Sequence, residues 1–248
     1  QELSKKYRVI ICDKLNDPAK KKNIASVKDK KVIKIHEIFS FIERNKKKIS
    51  AVIHMGAISA TDETNLELLL NNNYLYSLKL FNICNKYHIK FIYASSAATY
   101  GNSFDYDDEN SFDNFLKLKP INYYGLSKHL FDLHILSLIK SGEKLGSNPV
   151  GLKFFNVYGP NELHKGFMMS PIPKFLKEIQ KTKKLKLFKS HNKKFADGKQ
   201  SRDFIYINDC VKVVVWLLKK RKLTGIYNVG TGKSRTFYDL AKTVFKNV

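Results

Sequence analysis

Residues 91–101 read FIYASSAATYG. The first half is apolar, aromatic and β-branched, as in a buried strand; the second is a run of small residues closed by glycine, as in a tight turn. Ser95 and Ser96 then stand at the carboxyl end of a strand, the edge at which open α/β sheets bind ligands. A serine-rich turn without chemistry has the same composition, so the neighbouring sequence has to discriminate. Downstream, residues 120–134 read PINYYGLSKHLFDLH. Tyr124 and Lys128 are four residues apart and share a helix face, a spacing that also arises by chance on many surface helices. A strand-end serine followed about 28 residues later by tyrosine-x-x-x-lysine at the start of a helix is a more specific constellation.

Outward from these segments the chain alternates β-branched runs with amphipathic stretches, the pattern of a parallel α/β sheet. Strands are predicted at YRVIIC, AVIHM, IKFIYAS, VGLKFFNV, LKLF, FIYI and IYNVG, and helices near 37–48, 64–87, 123–140, 171–182, 208–220 and 236–246. In the second helix Leu66, Leu69, Leu70, Tyr74, Leu78, Phe81 and Ile83 follow the 3.6-residue period. The segment SHNKKFADGKQS is polar and reads as a surface loop. No internal repeat and no Pro/Gly-rich linker divides the chain.

With 248 residues, 43% of them hydrophobic, the chain can bury a full core. A formal charge of +23 invites a nucleic-acid reading. All but five of the 45 basic residues are lysine, however, and arginine is the residue that reads phosphates and bases in bidentate fashion. The lysines are spread over every predicted element, without zinc-finger spacing or an aromatic RNA-binding motif, so nucleic acid is not the expected partner. Attraction to anionic small molecules remains. Cys12, Cys84 and Cys210 are far apart and have no metal-ligand spacing; they read as small buried residues of a reducing, cytoplasmic compartment, and no metal site is expected. No apolar run approaches the roughly 20 residues that span a bilayer, so no membrane partner is expected.

The opening QELSKKYRVIICD reads as a helix end followed by a strand that finishes at Asp13. In dinucleotide-binding βαβ units an acidic residue at the end of the second strand meets the adenosine ribose, about 20 residues after a glycine-rich pyrophosphate cradle. No such cradle occurs in residues 1–248. The reading is that the first strand and glycine loop are missing from this chain, and that it also stops inside a helical pattern at its other end.

The strand-end serine and YxxxK pair resemble the extended short-chain dehydrogenase/reductase superfamily, and HMGAIS, NNNYLYSLKLFNIC and FFNVYGP agree with it in order and spacing. The resemblance implies a Rossmann-like doubly wound parallel sheet over residues 1–157, lacking its first strand and glycine loop. It implies also a smaller α/β substrate-binding domain, mainly 158–248, with segments returning to the first. Tyr124 becomes the base and acid of hydride chemistry: its phenol, ordinarily near pKa 10, is favoured as phenolate by the Lys128 ammonium and a cationic nicotinamide. Ser96 holds the reacting oxygen in line, and Lys128 also anchors the nicotinamide ribose. Tyr123 has Ser127 four residues on and reads as packing or rim.

FFNVYGPNELHKGFMMS and KSHNKKFADGKQSRDFIYINDC narrow the resemblance to the ADP-L-glycero-D-manno-heptose 6-epimerases. Such an enzyme takes hydride from one face of a carbon and returns it to the other, so it needs acid/base help in two substrate orientations. The resemblance gives the second base to Lys165 and also sets it against the cofactor; the plain alternative is one more solvated lysine. Met55, Gly56, Ala57, Ile58 and Ser59 match a cofactor-lining turn, with Asn72 on the next helix and Val157 at a later strand end. Asp13 and Lys14 fall at the adenosine end. Asn156, Phe188 and Arg202, together with Ser96, match substrate-binding positions; Arg202 could alternatively pair with Asp203 or Asp209, and Asp209 reads as a helix cap. NADP is the expected cofactor and NAD the alternative: Asp13 suits the NAD ribose, while Lys14 and the lysines at 20–22 suit the 2′-phosphate. Phe167 and Lys174 depart from residues common in relatives and bear on the exact sugar. The partner expected is a nucleotide sugar, ADP-heptose, and the protein is expected to be a homo-oligomer. Other readings are a 4-epimerase, a 4,6-dehydratase (disfavoured by Ala97 and Ala98, where an acid is usual) or a non-catalytic Rossmann-like binding protein.

Overall fold

A computed structural model describes residues 1–103, 106, 109–190 and 196–248. The chain begins with β1 (Ile10–Cys12), α1 (Pro18–Ala25), β2 (Lys31–Ile33), α2 (Ile38–Asn45) and β3 (Ala51–His54). A helical stretch follows in three pieces: α3 (Leu66–Leu69), a π-helical turn over Leu70–Leu75, and α4 (Tyr76–Lys86). Next are β4 (Lys90–Ser96), α5 (Phe112–Leu116), α6 (Tyr123–Lys140), β5 (Val150–Phe154), β6 (Asn156–Tyr158) and α7 (Pro171–Thr182). The remainder is β7 (Ser201–Tyr206), α8 (Ile207–Leu217), β8 (Gly225–Val229), β9 (Ser234–Thr236) and α9 (Phe237–Lys246).

These elements form two compact units. The first comprises Gln1–Phe154 and Val211–Asn228, the second Phe155–Cys210 and Val229–Val248. In the first, β1 and β2 pair in parallel, and a second sheet has the order β3-β4-β5-β8. β4 runs parallel to both neighbours, with Ile92 opposite Ile53 and Val150. Parallel strands are covered on both faces, and the first five residues of β4 are four buried ones and half-buried Ala94. Phe81, Phe91, Tyr93 and Phe131 pack through edge and stacked ring contacts beside Ile42, Leu80 and Ile135. Each such side chain contributes roughly 1.5–3 kcal/mol by burial. In the second unit β6 pairs in parallel with β7 and β7 antiparallel with β9. Phe175 and Ile179 of α7 meet Ala241 and Val244 of α9 in its core.

Two predicted strands are corrected. VGLKFFNV is two strands, because the chain passes at Phe155 from the four-stranded sheet into the three-stranded one. LKLF is not a strand: the Lys186 amide donates to the Glu178 side chain at 3.2 Å, and Leu187 packs onto the α7–α9 core. The helix expected over 64–87 is interrupted by the π-helical turn. Of the predicted loop Ser190–Ser201, residues 191–195 lie outside the described residues. Cys84 and Cys210 are buried as expected, whereas Cys12 is half-exposed. Among the described residues, no helix is long and apolar enough to cross a membrane, and no three His, Cys, Asp or Glu side chains cluster as metal ligands would.

Candidate active site

In the first unit the strand-end serine and the YxxxK helix come together. β4 ends at Ser96, whose hydroxyl accepts from the Ala98 amide at 3.1 Å and caps the short helical turn Ala97–Tyr100. α6 starts at Tyr123 because Asn122 caps it, its side-chain oxygen accepting from the Gly125 amide at 2.7 Å. A Cβ on Gly125 would stand 2.7 Å from the Ala98 carbonyl oxygen, so glycine lets the helix start press onto the turn. The Tyr124 phenol thereby comes near enough to Ser96 for that side chain to ease its ionisation. Tyr123 points outward, 44% exposed.

Lys128 is buried and donates to the Ala94 carbonyl at 2.8 Å. Burial pushes its ammonium down to about 8, against the opposing charge of Asp132. Tyr124 differs from expectation. Burial raises its phenol above the ordinary value, the Ser96 side chain lowers it in part, and Asp132 raises it further. The ammonium is directed at the strand carbonyl, so the phenolate is not favoured by the protein alone.

The turn after β3 carries Met55, Gly56, Ala57, Ile58 and Ser59, all at least partly exposed. Nothing lies within 4 Å of a Cβ built on Gly56, so backbone can approach a flat ligand there. What fixes the turn is Asn73, which the sequence reading missed. It accepts from the Ile58 amide and donates to the Ile58 carbonyl, both at 2.9 Å, and donates to Ser127 of α6 at 3.0 Å. Asn72 is exposed and donates to Leu68 of its own helix. Beneath, His54 is buried and hydrogen-bonds Ser77 at 2.9 Å; burial, with the Lys128 charge, holds it down to about 3, a neutral imidazole. At the end of β1, Asp13 is exposed and pairs with Lys20 at 2.9 Å, and Lys14 beside it is exposed. Open small-residue backbone beside a buried lysine fits the nicotinamide half of a dinucleotide, and the Asp13–Lys20 pair fits the ribose and phosphate of its other end.

The second unit carries the remaining candidates. Asn156 is exposed at the start of β6, with Val157 half-buried behind it. Lys165 lies exposed on the 3₁₀ segment Leu163–Met168, 3.5 Å from the Glu162 carboxylate. Glu162 organises that segment, accepting from the amides of Gly159 and Ser170 and from the Ser170 hydroxyl. Phe167 is 94% exposed beside it, and Lys174 donates to its carbonyl. Arg202 and Phe188 line one cavity of about 410 Å³ with Lys189, Gln200 and Phe237. Arg202 donates to the Ser201 carbonyl; Asp203 instead accepts from the amides of Thr231 and Gly232. Asp209 lies within the first turn of α8 and not at its cap.

A family model described as the NAD dependent epimerase/dehydratase family matches residues 1–230. The ADP-L-glycero-D-manno-heptose-6-epimerase of Nitratidesulfovibrio vulgaris is 48% identical over 199 residues, 80% of this chain, and the match spans 59% of that relative's length. The enzyme of the same name from Alkalilimnicola ehrlichii is 37% identical over 98% of this chain and 74% of its own length. Among solved structures, the Helicobacter pylori ADP-L-glycero-D-manno-heptose-6-epimerase superposes with a TM-score of 0.78 at 30% identity, covering 96% of this chain and 73% of that one.

Proposed function

This chain belongs to the NAD dependent epimerase/dehydratase family, and from that premise we propose that it is the larger part of a nucleotide-sugar epimerase that interconverts ADP-D-glycero- and ADP-L-glycero-manno-heptose. The observation that carries the reading is the meeting of Ser96, Tyr124 and Lys128 at one strand end. In the proposal the first unit takes the dinucleotide, with Met55 to Ser59 and Lys128 at its nicotinamide half. The second takes the nucleotide sugar, with Asn156, Phe188 and Arg202. The chemistry that a nicotinamide supplies when bound is reversible hydride transfer at the sugar carbon. Ser96 donates to the reacting oxygen and holds it beside Tyr124. Tyr124 takes the hydroxyl proton of the sugar in one orientation and returns it. Lys165 does the same in the other, once released from Glu162. NADP is favoured over NAD because Lys20 already offsets the Asp13 charge, which would otherwise repel a 2′-phosphate. A homo-oligomeric cytoplasmic enzyme completes the proposal.

The test is interconversion of the two ADP-heptoses by the full-length protein, with Lys165→Met as the diagnostic variant. The expected result is loss of epimerisation by about 10²-fold or more, with slow redox turnover of an aldehyde analogue retained through Tyr124. Near-normal epimerisation by the variant overturns the second base. Absence of epimerisation in the unmodified protein overturns the function.

A further inference from the structure

Two turns beyond Tyr124 on α6, Asp132 is 0% exposed. A carboxylate removed from water persists only where partners compensate it. The Tyr93 hydroxyl donates to Oδ1 at 2.9 Å and the Ser95 hydroxyl to Oδ2 at 2.6 Å. Lys153 of β5, 1% exposed, lies 3.3 Å from the same Oδ2. Its ammonium donates to the Thr99 hydroxyl and sits over the Tyr100 and Phe115 rings at 4.5 and 4.4 Å. Thr99 in turn donates to the Ser96 carbonyl at 2.8 Å. Tyr93 and Ser95 project from one face of β4, while Lys128 holds the carbonyl of Ala94 between them. Helix and strand are thus joined at three successive residues immediately before Ser96. An apolar pair of similar volume commonly stabilises a core as well as a buried ion pair does, so packing alone gives no reason for two buried charges here.

We propose that the buried Asp132–Lys153 pair is a positioning device for the reacting hydroxyls, fixing the Ser96 turn through Ser95 and Thr99 against the helix that carries Tyr124 and presenting Lys128 with a fixed anion. The proposal rests on the assignment of Ser96, Tyr124 and Lys128 as the reacting set. The groups that act on or feel Lys128 are Asp132 on its own helix and His54 from β3; Asp132 is faced in turn by Tyr124 and His129 of the same helix, Tyr93 from β4 and Lys153 from β5. His54 is neutral, so Asp132 is the anion that opposes the effect of burial on Lys128.

The experiment compares the full-length protein with Asp132→Asn and with the charge-balanced double variant Asp132→Asn/Lys153→Met. One readout is the Lys128 titration midpoint by side-chain NMR, assigned with Lys128→Met; the other is kcat and KM for the nucleotide sugar against pH. Without the carboxylate the Lys128 midpoint should fall by about one pH unit or more, and the alkaline limb of kcat should move down with it. kcat should fall about tenfold or more while KM stays within about twofold. The double variant should recover any stability that the single one loses, yet keep the low midpoint and the low kcat; it supplies both readings if Asp132→Asn does not fold. An unmoved Lys128 midpoint, or a double variant with kcat within about twofold of the parent, overturns the proposal. If the parent does not epimerise, the function fails separately, and the midpoint still decides this inference.

Discussion

Tyr123 and Tyr124 are neighbours in sequence with opposite surroundings, which makes them a controlled comparison. Tyr124 lies near the Ser96 side chain, whereas Tyr123 is 44% exposed at the first position of α6. Tyr124→Phe removes one oxygen and should leave folding intact while lowering kcat by about 10²-fold or more. Tyr123→Phe should change kcat by less than about twofold. Steady-state assays of both variants check this, and equal losses would mean that the register of the reacting face is wrong. The two tyrosines could be told apart in the sequence because only Tyr124 has lysine four residues on. The raised phenol could not be read there, because it follows first from burial of the ring, which residue spacing alone does not show.

At the scale of elements, legibility followed the strength of local signals. α6 and α7 match their predicted spans because Asn122 caps one and Pro171 opens the other. β2 and β9 are three residues long, too short to show alternation, and α1 is a lysine-rich helix of just over two turns with no apolar face. The π-helical turn was invisible for a different reason: its residues keep an apolar period, and only the extra residue per turn rotates Asn73 inward in place of Asn72. Asn73→Ala leaves the part-buried amide and carbonyl of Ile58 without their partner, at about 1 kcal/mol for each. A drop of several °C in Tm is expected, with weaker binding of a nicotinamide dinucleotide by the full-length protein as the Met55–Ser59 turn loosens. Thermal denaturation and cofactor titration check both, and an unchanged Tm would show that the turn holds itself.

For the whole molecule the dominant quantity is the formal charge of +23. Spread as lysine over both units, it forms a long-range field that favours anionic ligands in general, the proposed nucleotide sugar among them, without specifying any. Salt should therefore raise KM for the nucleotide sugar several-fold between about 0.05 and 0.5 M, as the screening length shrinks from beyond 10 Å to a few Å, with kcat nearly constant. Initial rates across a salt series check this; a salt-independent KM would confine recognition to short-range contacts. The parallel α/β class was legible from alternating strands and helices. The partition into units was less so, because the chain leaves the first unit at Phe155, returns at Val211 and leaves again at Val229, with no linker composition at any of the three points.

That interleaving bears on how such a protein can be inherited or engineered. A gene fragment ending at residue 154 would encode β5 without β8, the strand beside it in the four-stranded sheet, leaving an open strand edge that invites aggregation. Neither unit is a cassette that recombination can lift out whole. Changes of substrate range have to come through substitutions and loop exchanges in place, with both units carried together as one heritable module.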